Sequence, residues 1–183
     1  MAVNRRVVIK EYARTIVSSV LLALVLVVFV AQSFVVNGSS MEPTLHDGER
    51  LIVEKISYLV REPQRGDIIV FHPPISSNHP FIKRVIGLPG DTVEARDHQL
   101  LVNGLLITEE YLSESMQGNF GPITVPTDSV FVLGDNRNRS YDSRYNEVGC
   151  IPYNDVIGRA LLRYWPPLKS GTMGGATTSV SND

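Results

Sequence analysis

The sequence predicts a mainly β protein: an antiparallel β-sheet or barrel-like domain preceded by a single N-terminal transmembrane helix. Three observations carry that reading. Thr15 to Val36 is 22 residues without a charge, 17 of them apolar. Beyond Val36 the apolar residues come in short β-branched or aromatic runs bounded by Gly and Pro, the pattern of strands. Two such runs flank Asn103-Gly104, a dipeptide suited to a two-residue hairpin turn.

The elements follow in order. As a helix, residues 15–36 would extend about 33 Å, close to the ~30 Å of a hydrocarbon core. Before the run stand Arg5, Arg6, Lys10 and Arg14 against Glu11, a local charge of +3. The rest of the chain then holds 13 basic and 18 acidic residues, a net of −5. Positive charge before a span favours a cytoplasmic N-terminus, which puts the remainder across the membrane. A cleavable signal peptide is the competing reading, since Ala31-Gln32-Ser33 has the small-x-small form of a cleavage site. Its apolar region is ordinarily only ~7–15 residues long, so the run favours a retained anchor. A buried soluble helix fits less well, because the run has no polar face.

Expected strands cover Glu49–Lys55, Asp67–Phe71, Phe81–Leu88, the Leu101–Thr108 hairpin, Ser129–Leu133 and Val156–Trp165. Gly158 and the aromatic end of the last favour strand over helix, and Ser57–Arg61 reads as a helical turn. After Pro166-Pro167 apolar content falls and the chain reads as a loose tail. The expected organisation is a cytoplasmic basic flank (1–14), a transmembrane helix (15–36), an extracytoplasmic β-rich domain (37–167) and a flexible tail (168–183).

Composition narrows the chemistry. Hydrophobic residues make up 43% and charged residues 20% of 183, ordinary for a folded chain rather than a disordered one. The net charge of −2 gives no reason to expect a nucleic-acid partner. Cys150 is the sole cysteine, so neither an internal disulfide nor a multi-cysteine zinc site can form; it reads as a small buried filler. The four His do not fall at paired ligand spacings. Catalysis, if present, would use Ser, Lys, Asp or Glu, without metal or cofactor.

Of four lysines, Lys83 stands apart, between Phe81-Ile82 and Arg84-Val85-Ile86. Side chains alternate along a strand, so Lys83 and Arg84 take opposite faces. A lysine among apolar side chains loses basicity and can serve as a general base; the alternative is that it snorkels to solvent from a sheet edge. The segment Asn37-Gly-Ser-Ser-Met-Glu-Pro-Thr-Leu45 begins where the apolar run stops. A serine there can be a nucleophile if a base takes its proton, or merely cap a short helix. The loop Gly134–Arg144 holds five charges and little apolar surface. It is either a solvated loop or one braced by an Asp142–Arg144 or Asp135–Arg pair that turns Ser140 inward.

Four segments together resemble the bacterial type I signal peptidase (leader peptidase) family of membrane-bound Ser-Lys proteases. They are Ser40-Met-Glu-Pro-Thr-Leu45, Arg65-Gly-Asp-Ile-Ile-Val-Phe71, Lys83-Arg-Val-Ile-Gly-Leu-Pro-Gly-Asp91, and Gly134-Asp-Asn-Arg137 through Ser140, Asp142, Ser143 and Arg144. The resemblance runs from the span to about Trp165. It implies that Ser40 is the nucleophile and Lys83 the general base. It further implies that Ser140 orients the Lys83 amine by a hydrogen bond, that Asp142 and Arg144 brace the loop as an ion pair, and that the Ser40 N–H forms part of an oxyanion hole. Some members add a serine hydroxyl two positions before the nucleophile; Gly38 stands there in this chain.

The family removes signal peptides from secretory preproteins after small residues at −1 and −3. By position, Val36, Met41, Leu45, Phe81 and Ile82 would line the pockets that exclude larger side chains. Secretory preproteins and membrane lipid are the partners implied, and the bacterial cell membrane the location, single-pass with the catalytic domain outside the cytoplasm. Two alternatives remain at the level of sequence: a different Ser-Lys protease, or a membrane-tethered β-rich binding module without catalysis.

Overall fold

A computed structural model describes residues 5–77, 79–173 and 179–180. The first element is a helix, α1 (Arg5–Val30). Strands β1 (Ala31–Val35), β2 (Arg50–Glu54), a short helix α2 (Ser57–Val60), and strands β3 (Ile68–Phe71), β4 (Phe81–Gly87), β5 (Thr92–Arg96), β6 (Gln99–Val102), β7 (Leu105–Thr108), β8 (Phe120–Thr124), β9 (Ser129–Leu133), β10 (Ile151–Pro152), β11 (Val156–Trp165), β12 (Gly171–Thr172) and β13 (Ser179–Val180) come next. One sheet runs β1-β2-β11-β3-β4-β9-β10, with β12 beside β11, and a second runs β13-β7-β6-β5-β8. Every pairing is antiparallel.

The helix differs from the expected span of 15–36. It begins at Arg5 and stops at Val30, and Ala31–Val35 leaves it to pair with Glu54–Arg50 of β2. The Val30 carbonyl accepts the Lys55 N–H at 3.0 Å. A cross-strand partner thus takes up a carbonyl that a helix end would leave open, and the β-branched and aromatic end of the run goes into the sheet. Ile9 to Leu24 are exposed along their whole length. Among the described residues no helix is both long and apolar enough to cross a membrane; the side chains at 25–29, inside the expected span, lie outside that description.

The central strands account for the core. All four residues of β3 are buried, because alternate side chains enter two different clusters. Ile68 and Val70 join Val36, Met41, Leu45, Leu51 and Val53, whereas Ile69 and Phe71 join Val85, Val130 and Val132. The third cluster lies under the smaller sheet, around Val93, Leu100, Val102 and Phe131. Cys150 is partly buried against it. The β6–β7 turn has Asn103 and Gly104 at φ of +56° and +77°, the left-handed conformations that a tight two-residue hairpin needs.

The expected loose tail is tied down at its start. Gly171–Thr172 pairs with Leu162 and Arg163, the Arg163 Nε donates to the Lys169 carbonyl at 2.7 Å, and Met173 packs on the cluster around Leu45. Residues 174–178 and 181–183 of that tail lie outside the described residues. Strands β1, β5, β8, β10, β12 and β13 are not legible in the pattern of residues, being short, polar or interrupted by Gly and Pro.

Candidate active site

Three chain segments converge at one end of the larger sheet. The first is the turn that follows β1. It is pinned from below by Met41 and Leu45, which are 1% and 0% exposed. At its mouth the Val36 N–H donates to the Glu49 carbonyl at 2.8 Å, and the Gly48 N–H to the Val36 carbonyl at 2.9 Å. The Gly38 N–H is held by Asp47 Oδ1 at 2.7 Å, so it is not free for a ligand. These anchors leave Ser40 at the rim of the turn.

The second segment is β4. Lys83 lies opposite Ile69 of β3, and its Nζ donates to Ser40 Oγ at 2.8 Å and to the Ile82 carbonyl at 3.0 Å. Its side chain is buried, with Nζ 5.3 Å from the centre of the Phe81 ring. Burial disfavours the ammonium and lowers the Lys83 pKa to about 8. Asp142 and Asp135 oppose that shift, and Arg144 adds to it. The neighbouring Arg84 takes the opposite face, as the strand alternation requires. There it forms a bidentate pair with Asp135 at 2.8 and 2.6 Å and donates to the Gly66 carbonyl at 3.0 Å.

The third segment is the loop after β9. Asp142, fully buried, accepts the Gly134 N–H at 3.0 Å and two donors of Arg144 at 2.8 and 3.0 Å. Ser143 bonds to both the N–H and the carbonyl of Val132. The loop then grips the Ser40 turn. The Asn136 N–H donates to the Ser40 carbonyl at 3.0 Å, and Asn136 Nδ2 to the Ser39 carbonyl at 3.1 Å. Gly134 permits the approach: a Cβ there would lie 2.2 Å from Ser140 Oγ and 2.4 Å from the Ser40 oxygen.

Two expectations are corrected. Ser140 is buried beside Gly134, but its hydroxyl has no hydrogen-bond partner among the described residues, and the Lys83 amine turns to Ser40 and Ile82 instead. Leu45 does not line the cleft; it is wholly buried among Leu51, Val53 and Val70. Val36, Met41, Phe81 and Ile82 do line the cleft, which encloses about 700 Å³ and contains Ser40 and Lys83. Three further lining residues, His79, Arg139 and Tyr141, escape the reading of the sequence. So does the clasp made by Asn136. Tyr141 and Tyr145 are 38% and 47% exposed, with ring centres 4.6 Å apart. Two loops bring these groups to the cleft, one before β4 and one after β9, and loop polarity alone gives no signal of direction.

Residues 9–165 match the family described as signal peptidase, peptidase S26. The chain belongs to this family. It is 48% identical to a signal peptidase I of Leptolyngbya laminosa over 90% of this chain and 83% of that one. It is 42% identical to a signal peptidase I of Bacillus licheniformis over 89% and 92%. A crystal structure of a signal peptidase I from Enterococcus faecalis is 40% identical and aligns with 55% of this chain and 97% of that one, at a TM-score of 0.48. The protein is therefore a peptide-bond hydrolase of the signal peptidase I type, a serine peptidase. That sets aside the reading of a binding module without catalysis.

Proposed function

We propose that the protein is a membrane-anchored endopeptidase that removes signal peptides from secretory preproteins, with Ser40 as nucleophile and Lys83 as general base. The observation that carries this reading is the 2.8 Å contact between Lys83 Nζ and Ser40 Oγ, made by a buried lysine whose pKa is lowered to about 8. A neutral amine at that distance takes the hydroxyl proton as Oγ attacks the scissile carbonyl. The same amine, now protonated, delivers the proton to the leaving nitrogen. It then activates the water that releases the acyl group. The Ser40 N–H contributes one donor to the developing oxyanion. Asp142 and Arg144 hold the loop that clasps Ser40 through Asn136.

Substrate choice rests on shape. Val36 and Met41 are almost wholly buried in the cleft wall. Such a wall would admit small side chains at −1 and −3 and clash with large ones. Helix α1 supports the anchor. Ile16, Val17, Val20, Leu21, Leu22 and Leu24 are each more than half exposed, and so much unpacked apolar surface on one helix calls for an apolar solvent. With the basic flank in the cytoplasm, the domain stands on the outer face, where cleavage sites emerge.

The test is incubation of the full chain, in detergent micelles, with a preprotein, followed by N-terminal sequencing of the product. Wild type should release a mature chain that begins just after a small residue, and Ser40→Ala and Lys83→Ala should release none while remaining folded. Substantial cleavage by either variant would sink the assignment.

A further inference from the structure

The loop that clasps Ser40 carries two arginines on one turn, Arg137–Arg139, with opposite fates. Arg137 is 1% exposed and bonds through both terminal nitrogens to Glu109, at 2.6 Å for Nη2–Oε1. Arg139 is exposed, lines the cleft, and makes no ion pair or side-chain hydrogen bond among the described residues. Eight other arginines, from Arg61 to Arg163, pair with carboxylates. A solvated cation on a cleft wall, with no protein partner holding it, is free to pair with an anionic group that enters the cleft.

The cleft is also one-sided in charge. Lys83, Arg139 and the imidazole of His79 line it, and among the described residues no Asp or Glu does. Acids near the cleft are turned to other work: Asp47 accepts the Gly38 N–H, Glu147 accepts the Tyr141 hydroxyl at 3.4 Å, and Asp142 and Asp135, which act on Lys83, are paired with Arg144 and Arg84. On the Ser40–Lys83 reading, the apolar groups Val36, Met41, Phe81 and Ile82 would take the small residues before the scissile bond, and the polar side chains Arg139 and Tyr141 would meet the substrate residues after it.

We infer that Arg139 is a specificity-determining residue that selects preproteins by charge, favouring an acidic side chain in the first two positions after the scissile bond and disfavouring a basic one. This rests on the Ser40–Lys83 reading of the cleft and adds a substrate preference to it. A solvent-facing pair of this kind is modest and is screened by salt. The preference between opposite charges should therefore be about threefold or somewhat more at low ionic strength.

The experiment compares kcat/KM for preproteins that share one signal peptide and carry Asp, Ala or Lys at +1 or +2, with Asp or Lys at +10 as control. The full chain in neutral detergent is used. Wild type should prefer Asp to Lys near the bond, lose most of that preference at 1 M salt (Debye length ~3 Å), and show none at +10. Arg139→Ala should bring the Asp/Lys ratio close to one, Arg139→Glu should invert it, and Arg139→Lys should keep it. Equal ratios in wild type, Arg139→Ala and Arg139→Glu would overturn the inference. Failure of the underlying reading looks different: the Ala preprotein would still be cut by Ser40→Ala. Ratios taken within each variant remain interpretable if a substitution also lowers overall activity.

Discussion

Replacing Lys83 by Met should abolish cleavage and yet stabilise the fold, by an amount that depends on pH. The Lys83 pKa falls from the ordinary 10.5 to about 8, with burial as the principal cause. A depressed lysine is protonated more readily in the unfolded chain than in the folded one. Between about 8 and 10.5 the unfolded state therefore binds more protons, and stability rises with pH across that window. Below 8 both states are protonated, and the full penalty of the buried ammonium applies. At 1.36 kcal/mol for each tenfold change in proton affinity, that penalty is about 3 kcal/mol at neutral pH. By pH 9.5 roughly 2 kcal/mol of it should have been relieved. Met has nearly the same length and no proton, so the variant should lack this pH dependence. The assay is urea denaturation of the two full-length proteins in matched detergent at pH 7 and 9.5. The advantage of Lys83→Met over wild type should shrink by about 2 kcal/mol between the two. A difference that stays constant with pH would refute the claim that burial depresses this amine, whatever its absolute sign.

Other outcomes rest on the same contacts. The pH profile of kcat/KM should rise as the Lys83 amine loses its proton, with its midpoint near 8. Arg144→Gln should move that limb to higher pH, because it removes a cation and bares Asp142; a limb that stays in place would separate Arg144 from the amine. Asp135→Asn should destabilise the domain by about 3–5 kcal/mol in urea denaturation, since it strips the partner from an arginine only 2% exposed. Gly134→Ala should lower kcat at least about tenfold and destabilise by about 1–3 kcal/mol, because its methyl would enter the space of Ser140 Oγ and the Ser40 carbonyl. Unchanged turnover in that variant would argue against the clasp.

Much of the site is legible in the sequence. Strand alternation alone sends Lys83 and Arg84 to opposite faces, and the structure gives them opposite employments, one at Ser40 and one at Asp135. The hairpin at Asn103-Gly104 and the strands around Ile69, Val85 and Val132 arise from local pattern, because turn chemistry and side-chain alternation act within a few residues. The errors cluster where a distant partner decides. Nothing near Ala31 says that its helix must end, since the competing partner is β2, more than fifteen residues on. Leu45 and Val36 look alike in sequence, but only Val36 reaches the cleft.

By itself, the sequence determined a β domain behind a long uncharged run, pointed any catalysis toward hydroxyl, amine and carboxylate groups, and carried the four segments that resemble the family. Only tertiary structure decided that the Ser40 hydroxyl and the Lys83 amine, 43 residues apart, stand 2.8 Å from each other, how far burial weakens that amine, and which loop arginine is left open. Residue type and spacing govern local geometry. Proton affinity and reach depend on the groups that the rest of the chain brings around a side chain, and those are settled only when distant strands pack.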